Sequence, residues 1–109
     1  MKTAVLGSGS WGTALAMVLL ENGNEVTLWS HNPDRAAEMA KTGQNPRLPG
    51  VSLPSRLVHS GTLDCARDCG AVVLATPSYA VRQTAHQLAG RLTPGTVVVS
   101  VSKGIERES

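Results

Sequence analysis

Apolar residues fall along the chain in short continuous runs, and between the runs they recur every three or four positions. The runs predict strands and the spaced stretches predict helices. Residues 2–6 (KTAVL) are the first run, and a helix over 10–22 follows with Ala14, Leu15, Val18 and Leu19 as its apolar stripe. Asn22-Gly23 ends that helix, since glycine takes the left-handed conformation of a helix C-terminus without strain. Residues 25–29 (EVTLW) are a second strand. Asn32-Pro33 then opens a helix to about Lys41, with asparagine as cap and proline in the first helical position. Residues 42–54 (TGQNPRLPGVSLP) hold three prolines and two glycines, so neither a helix nor a central strand fits there. A short third strand is expected at 56–59 and a short helix at 62–69. The wholly apolar run 71–75 (AVVLA) and the run 96–101 (TVVVSV) predict strands covered on both faces. Between them a helix starts at Pro77 or Ser78 and runs to about Leu92, where Thr93-Pro94-Gly95 turns the chain.

Strands alternating with helices predict an α/β fold of the Rossmann, doubly wound type, with right-handed crossovers and helices on both faces of a parallel sheet. The expected strand order is 3-2-1-4-5, with ligands bound outside the carboxyl ends near the switch point between the first and fourth strands. There is no internal repeat, low-complexity tract or linker. At 109 residues with 41% hydrophobic positions the chain can bury one core. It enters the first strand directly after Met-Lys, which reads as no signal peptide, and no apolar run approaches membrane-spanning length. Net charge is only +2, the basic residues are scattered, and Phe is absent, so a nucleic-acid surface is not expected. Cys65 and Cys69 lack metal-ligand spacing with other Cys or His and read as two small, partly buried thiols of a reduced protein; no metal site is expected.

The chemistry concentrates in GSGSWGTALA, residues 7–16. Gly7, Gly9 and Gly12 fit G-x-G-x-x-G after a strand, at the opening of a helix, inside a strand–helix–strand unit ending at Trp29. The first glycine permits the turn, the second lets a pyrophosphate approach the backbone, and the third lets helix pack on strand. Free N–H groups at the helix start then attract the anion. No Gly-Lys-Ser/Thr follows, which excludes a Walker A loop. Ser10 is placed to donate to a phosphate oxygen and Trp11 either to cover the cofactor or simply to pack.

An NAD-selective site carries Asp or Glu about 20 residues after the glycines, on the ribose 2′-OH. Here the end of the second strand reads Trp29-Ser30-His31-Asn32, without an acid. Ser30, His31, Asn32 and Arg35 are all potential donors to a 2′-phosphate. The cofactor is therefore NADPH or NADH, with NADPH favoured unless Asp34 faces the site. Thr76-Pro77-Ser78 follows the fourth strand, either beside the nicotinamide end or merely as a helix start. Lys103 follows the fifth strand, where it would meet an anionic group or carbonyl oxygen. His59 and His86 carry no such positional argument, and His86 is expected in solvent.

GSGSWGTALA, NGNEVTLWSHN, LPGVSLP, the ATPS turn and VSKGIE together resemble, in order and spacing, the N-terminal half of the bacterial NAD(P)-dependent glycerol-3-phosphate dehydrogenases. The resemblance covers nearly the whole chain. It implies a cytoplasmic, often dimeric enzyme that reversibly reduces dihydroxyacetone phosphate to sn-glycerol 3-phosphate for phospholipid synthesis. It implies that Ser10 and Trp11 contact the cofactor, that His31 contacts its adenosine end, and that Lys103 stands where cofactor and substrate meet. Ser8 replaces the family's common Ala, a small change, and Arg47 stands where the family often has Tyr. The resemblance also implies a second, helical domain with the catalytic lysine. Residues 1–109 are then a dinucleotide-binding domain without a catalytic residue of its own, expected to show little or no turnover alone. The alternative is a stand-alone dinucleotide-binding or redox-sensing module.

Overall fold

The computed structural model describes residues 1–46, 49–67, 69–76, 78–88, 90–92 and 95–101, and of 78–81 the backbone only. The expected alternation is present: β1 (Lys2–Leu6), α1 (Ser10–Glu21), β2 (Glu25–Trp29), α2 (Pro33–Thr42), β3 (Val58–Ser60), a 3-10 turn (Leu63–Ala66), β4 (Ala71–Leu74), α3 (Ser78–Leu88) and β5 (Val97–Ser100). The five strands form one sheet in the order β3-β2-β1-β4-β5, and every pairing is parallel. The order is the expected one. Leu6 pairs with Trp29 on one side and Leu74 on the other, so β1, β2 and β4 end level with one another.

Alternation along the strands separates two cores. Ala4, Leu6, Val72 and Leu74 face the 3-10 turn and Leu88 of α3, while Val5, Val26, Leu28 and Val73 face Ala16 and Leu20 of α1 and Met39 of α2. Both faces of the central strands are thus covered, as a parallel sheet requires.

Helix α2 follows its sequence signals closely. The Asn32 side chain accepts from the Asp34 N–H at 2.9 Å, and Gly43, at φ 73°, donates its N–H to the Met39 carbonyl at the other end. Elsewhere the structure corrects the expectation. Helix α1 buries Gly12, Thr13, Ala16 and Leu20, whereas Val18, placed in its apolar stripe, is 52% exposed. The reason is the close approach at Gly12, where a β-carbon would overlap the Gly7 carbonyl oxygen. Gly12, Thr13 and Ala16 set the helix on the sheet beside Leu20, Leu15 and Leu19 pack at the edge of that core, and Val18 turns outward.

Strand β3 begins two residues later than expected because a turn, Leu57 N–H to the Pro54 carbonyl, keeps Arg56 out of the ladder. The helix expected over 62–69 contracts to the four-residue 3-10 turn, capped by Thr62. Helix α3 stops at Leu88, short of Leu92, because Gly90 takes φ 86°. Strand β5 is not covered on both faces: Val97, Val98 and Val99 are 57%, 45% and 42% exposed. It pairs with β4 along one side and is the last strand of the sheet among the described residues.

Candidate functional site

The carboxyl ends of β1, β2, β4 and β5 lie on one edge of the sheet, where a doubly wound fold has its ligand crevice. After β1 the chain makes its glycine turn. Gly7, at φ 125°, donates its N–H to the Trp29 carbonyl at 2.9 Å. A β-carbon at Gly7 would lie 2.7 Å from the Ala75 carbonyl oxygen. Gly7 and Gly12 are therefore demanded by the protein's own packing. Gly9 is different: its φ is −69°, open to any residue, and a β-carbon there would meet nothing within 4 Å among the described residues.

Gly9 caps α1 with no side-chain bond and no acidic residue in the first turn, and its carbonyl accepts the Thr13 N–H at 3.0 Å. The N–H groups of Ser10, Trp11 and Gly12 have no partner within the helix. They lie at the positive end of the helix dipole, an arrangement that attracts an anion. Ser10 is exposed beside them.

Beneath the loop lies a buried polar cluster. Ser30 Oγ donates to Ser8 Oγ at 2.7 Å, Asn45 Nδ2 donates to the Ser8 carbonyl at 2.9 Å and to Thr13 Oγ1 at 2.8 Å, and Thr13 Oγ1 donates to the Ser8 carbonyl at 3.3 Å. Ser30 is 1% exposed, so its hydroxyl serves the loop and is not turned out towards a 2′-phosphate as its place in the sequence suggests. Ser8 is likewise no idle replacement, since its hydroxyl is the partner that keeps Ser30 satisfied in the interior. Asn45 and Thr13 were missed because nothing in their spacing marks them. The nearest signal is the Asn45-Pro46 pair, which reads only as a turn.

Of the group beyond β2, Asn32 is engaged as the cap of α2, His31 and Asp34 are exposed, and Arg35 is half-buried. Trp11 crosses the mouth of the crevice, 45% exposed, with its indole Nε1 donating to the Val101 carbonyl at 3.0 Å. Val101 is itself tied by its N–H to the Leu74 carbonyl, so Trp11 joins the glycine turn to the end of β5. Thr76 is buried just past β4. Lys103, Pro77 and Arg47, together with the side chain of Ser78, lie outside the described residues.

Groups away from the crevice show no such convergence. Burial lowers the His59 pKa from its ordinary value, and burial raises that of the half-buried Cys65 thiol. The Cys69 thiol donates to the Cys65 carbonyl at 3.3 Å, and His86 is exposed on α3. Among the described residues no group of His, Cys, Asp or Glu is arranged to hold a metal ion, and no helix is long and apolar enough to cross a membrane.

Comparison with known proteins bears on what this crevice holds. The family described as NAD-dependent glycerol-3-phosphate dehydrogenase N-terminus matches residues 2–109. A glycerol-3-phosphate dehydrogenase [NAD(P)+] of Moorella thermoacetica is 47% identical over 108 residues, covering 97% of this chain and 32% of that protein. One of Prosthecochloris aestuarii is 46% identical over the same length, with the same coverage. Among solved structures, the glycerol-3-phosphate dehydrogenase of Coxiella burnetii superposes with a TM-score of 0.86 at 32% identity, over 94% of this chain and 32% of that one. The chain thus spans about a third of the length of the relatives it matches. With its glycine turn, parallel sheet and matched length, the chain belongs to the family of N-terminal domains of NAD-dependent glycerol-3-phosphate dehydrogenases.

Proposed function

We propose that the crevice binds a nicotinamide adenine dinucleotide, with its pyrophosphate on the N–H groups at the start of α1. The observation that carries this reading is Gly9. Two of the three motif glycines answer to contacts inside the protein, but Gly9 has neither a positive φ nor, among the described residues, a neighbour within 4 Å of a β-carbon. Its bare backbone leaves room, among the described residues, for a ligand group. A phosphate approaching the unsatisfied N–H groups is the chemistry that fits.

In this reading Ser10 donates to a phosphate oxygen, and Trp11 covers the bound molecule from its tether at Val101. His31, with Arg35 behind it, faces the adenosine end. No carboxylate occupies residues 30–32, the first positions past β2, and Asp34 stands in the first turn of α2, so NADPH is favoured over NADH. When bound, the reduced nicotinamide supplies a hydride. Lys103 would stand where the nicotinamide meets the substrate and offer its charge to a phosphate or a carbonyl oxygen.

The family places this domain at the front of a longer enzyme. The proposed reaction of the whole protein is reversible reduction of dihydroxyacetone phosphate to sn-glycerol 3-phosphate. Residues 1–109 form its dinucleotide domain, and the substrate pocket and the acid that protonates the carbonyl oxygen lie elsewhere. Calorimetric titration with NADPH and with NADH tests the binding. NADPH binding more tightly, with its advantage lost in His31→Ala, supports the assignment. No binding of either cofactor to a folded protein overturns it.

A further inference from the structure

We propose that Asn45 is a positioning residue for the glycine loop: its side-chain amide holds the Ser8 carbonyl towards the interior and thereby aims the Gly9 N–H at the phosphates of the dinucleotide. The proposal rests on the reading of the loop as a phosphate site.

Asn45 lies between α2 and β3, 37 positions along the chain from Ser8, and is 1% exposed. Its Nδ2 reaches the Ser8 carbonyl at 2.9 Å and Thr13 Oγ1 at 2.8 Å. Thr13 is fully buried, and its hydroxyl donates to the same carbonyl at 3.3 Å. Two donors from the interior therefore converge on one oxygen.

A trans peptide unit carries its C=O and N–H on opposite sides, and no cis peptide bond occurs among the described residues. With the Ser8 carbonyl drawn inward, the N–H of Gly9 must point outward. That is also the side on which the β-carbon position of Gly9 is empty. The two observations agree on where the anion sits. The anchor matters because glycines stand on both sides of Ser8 and give the backbone freedom to turn. Turned over, the unit would present a carbonyl oxygen to the phosphate in place of a donor. A residue that merely fastened the chain to the core would need no donor aimed at this oxygen.

The test compares Asn45→Ala, Thr13→Val and the conservative Thr13→Ser in the full chain. Each is titrated with ADP-ribose, which carries the pyrophosphate, and with adenosine, which does not. The Gly9 amide is followed by 15N NMR, and thermal unfolding is measured alongside. Asn45→Ala is expected to weaken ADP-ribose binding roughly tenfold, the scale of one hydrogen bond to a charged group. Adenosine binding should stay level, and the Gly9 amide signal should be displaced before ligand is added. Thr13→Val should share part of the loss and Thr13→Ser restore it.

ADP-ribose affinity kept within about twofold in folded Asn45→Ala and Thr13→Val, whatever their thermal midpoints, would overturn the proposal. If Asn45→Ala does not fold, the Thr13 pair decides by the same readouts. A wild-type protein that ignores ADP-ribose would overturn the phosphate-site reading and this proposal with it.

Discussion

Substituting the glycines of the turn one at a time separates what the fold needs from what the ligand needs. Gly9→Ala adds a methyl where nothing lies within 4 Å, at a φ of −69° that alanine adopts freely. Two small effects then oppose each other. Alanine restricts the unfolded chain, which stabilises by about 0.4–1 kcal/mol. It is also a poorer helix cap than glycine by several tenths of a kcal/mol or more. The net change should lie within about 1 kcal/mol of zero. Gly12→Ala is the contrast, because its methyl would overlap the Gly7 carbonyl oxygen and lie 3.2 Å from Ala75 Cβ. Overpacking of that kind costs about 1–3 kcal/mol, or roughly 4 °C or more of thermal midpoint in a domain of this size. Binding should run the other way for Gly9→Ala. The methyl holds the pyrophosphate off the N–H groups, and losing one charge-assisted bond weakens binding at least about tenfold. Circular dichroism melts and calorimetric titration with NADPH measure both quantities on the same samples. A Gly9→Ala protein as unstable as Gly12→Ala, or one that binds NADPH like the parent, would refute the inference that the space at Gly9 belongs to a ligand.

Three other outcomes follow from particular residues. His31→Glu places a carboxylate beyond β2, and should reduce NADPH affinity relative to NADH roughly tenfold in paired titrations. Trp11 is 45% exposed while Trp29 is 6% exposed, so iodide should quench the fluorescence of the parent and of Trp29→Phe but scarcely that of Trp11→Phe. Burial holds the His59 pKa below its ordinary value, so folding favours the neutral ring. That contribution is complete above the unfolded pKa of about 6.5 and is lost as pH falls through the folded value. Thermal midpoints measured from pH 8 down to 5 should therefore fall less steeply in His59→Gln than in the parent.

The parts of this fold that were legible in the sequence are those written in adjacent residues. Asn32-Pro33 and Gly43 bracket α2 through bonds to positions two and four residues away, and the glycine turn declares itself within six residues. The apolar strand runs then gave the sheet order, because parallel crossovers leave few alternatives. What failed was set by packing contacts that the local pattern does not show. Leu15 and Leu19 of the α1 stripe pack on the core as expected, but Val18 does not, because the helix's rotation is decided by Gly12 against Gly7, a contact that rewards having no side chain at all. Valines 97–99 read as a covered strand, but composition does not say on which side of the sheet a last strand stops being paired. Ser30 looked like a phosphate donor from its position, yet a short side chain can turn either way, and here a hydroxyl 22 residues earlier took it inward. Asn45 had no periodicity to betray it.

The bond from Asn45 to the Ser8 carbonyl also joins two regions, which are therefore expected to open together in local unfolding. Among the described residues, the chain around Asn45 is held by the Leu53 N–H on the Gly43 carbonyl and by a bridge between Gln44 and Ser52. If that chain lifts away, the glycine loop loses its anchor at the same moment. An anion that favours the anchored loop therefore raises the free energy of lifting by mass action. Amide protons such as that of Leu53 then exchange with solvent more slowly when the loop is occupied. Occupancy of the glycine turn is thereby recorded in the breathing of a proline-rich stretch two helices further along the chain.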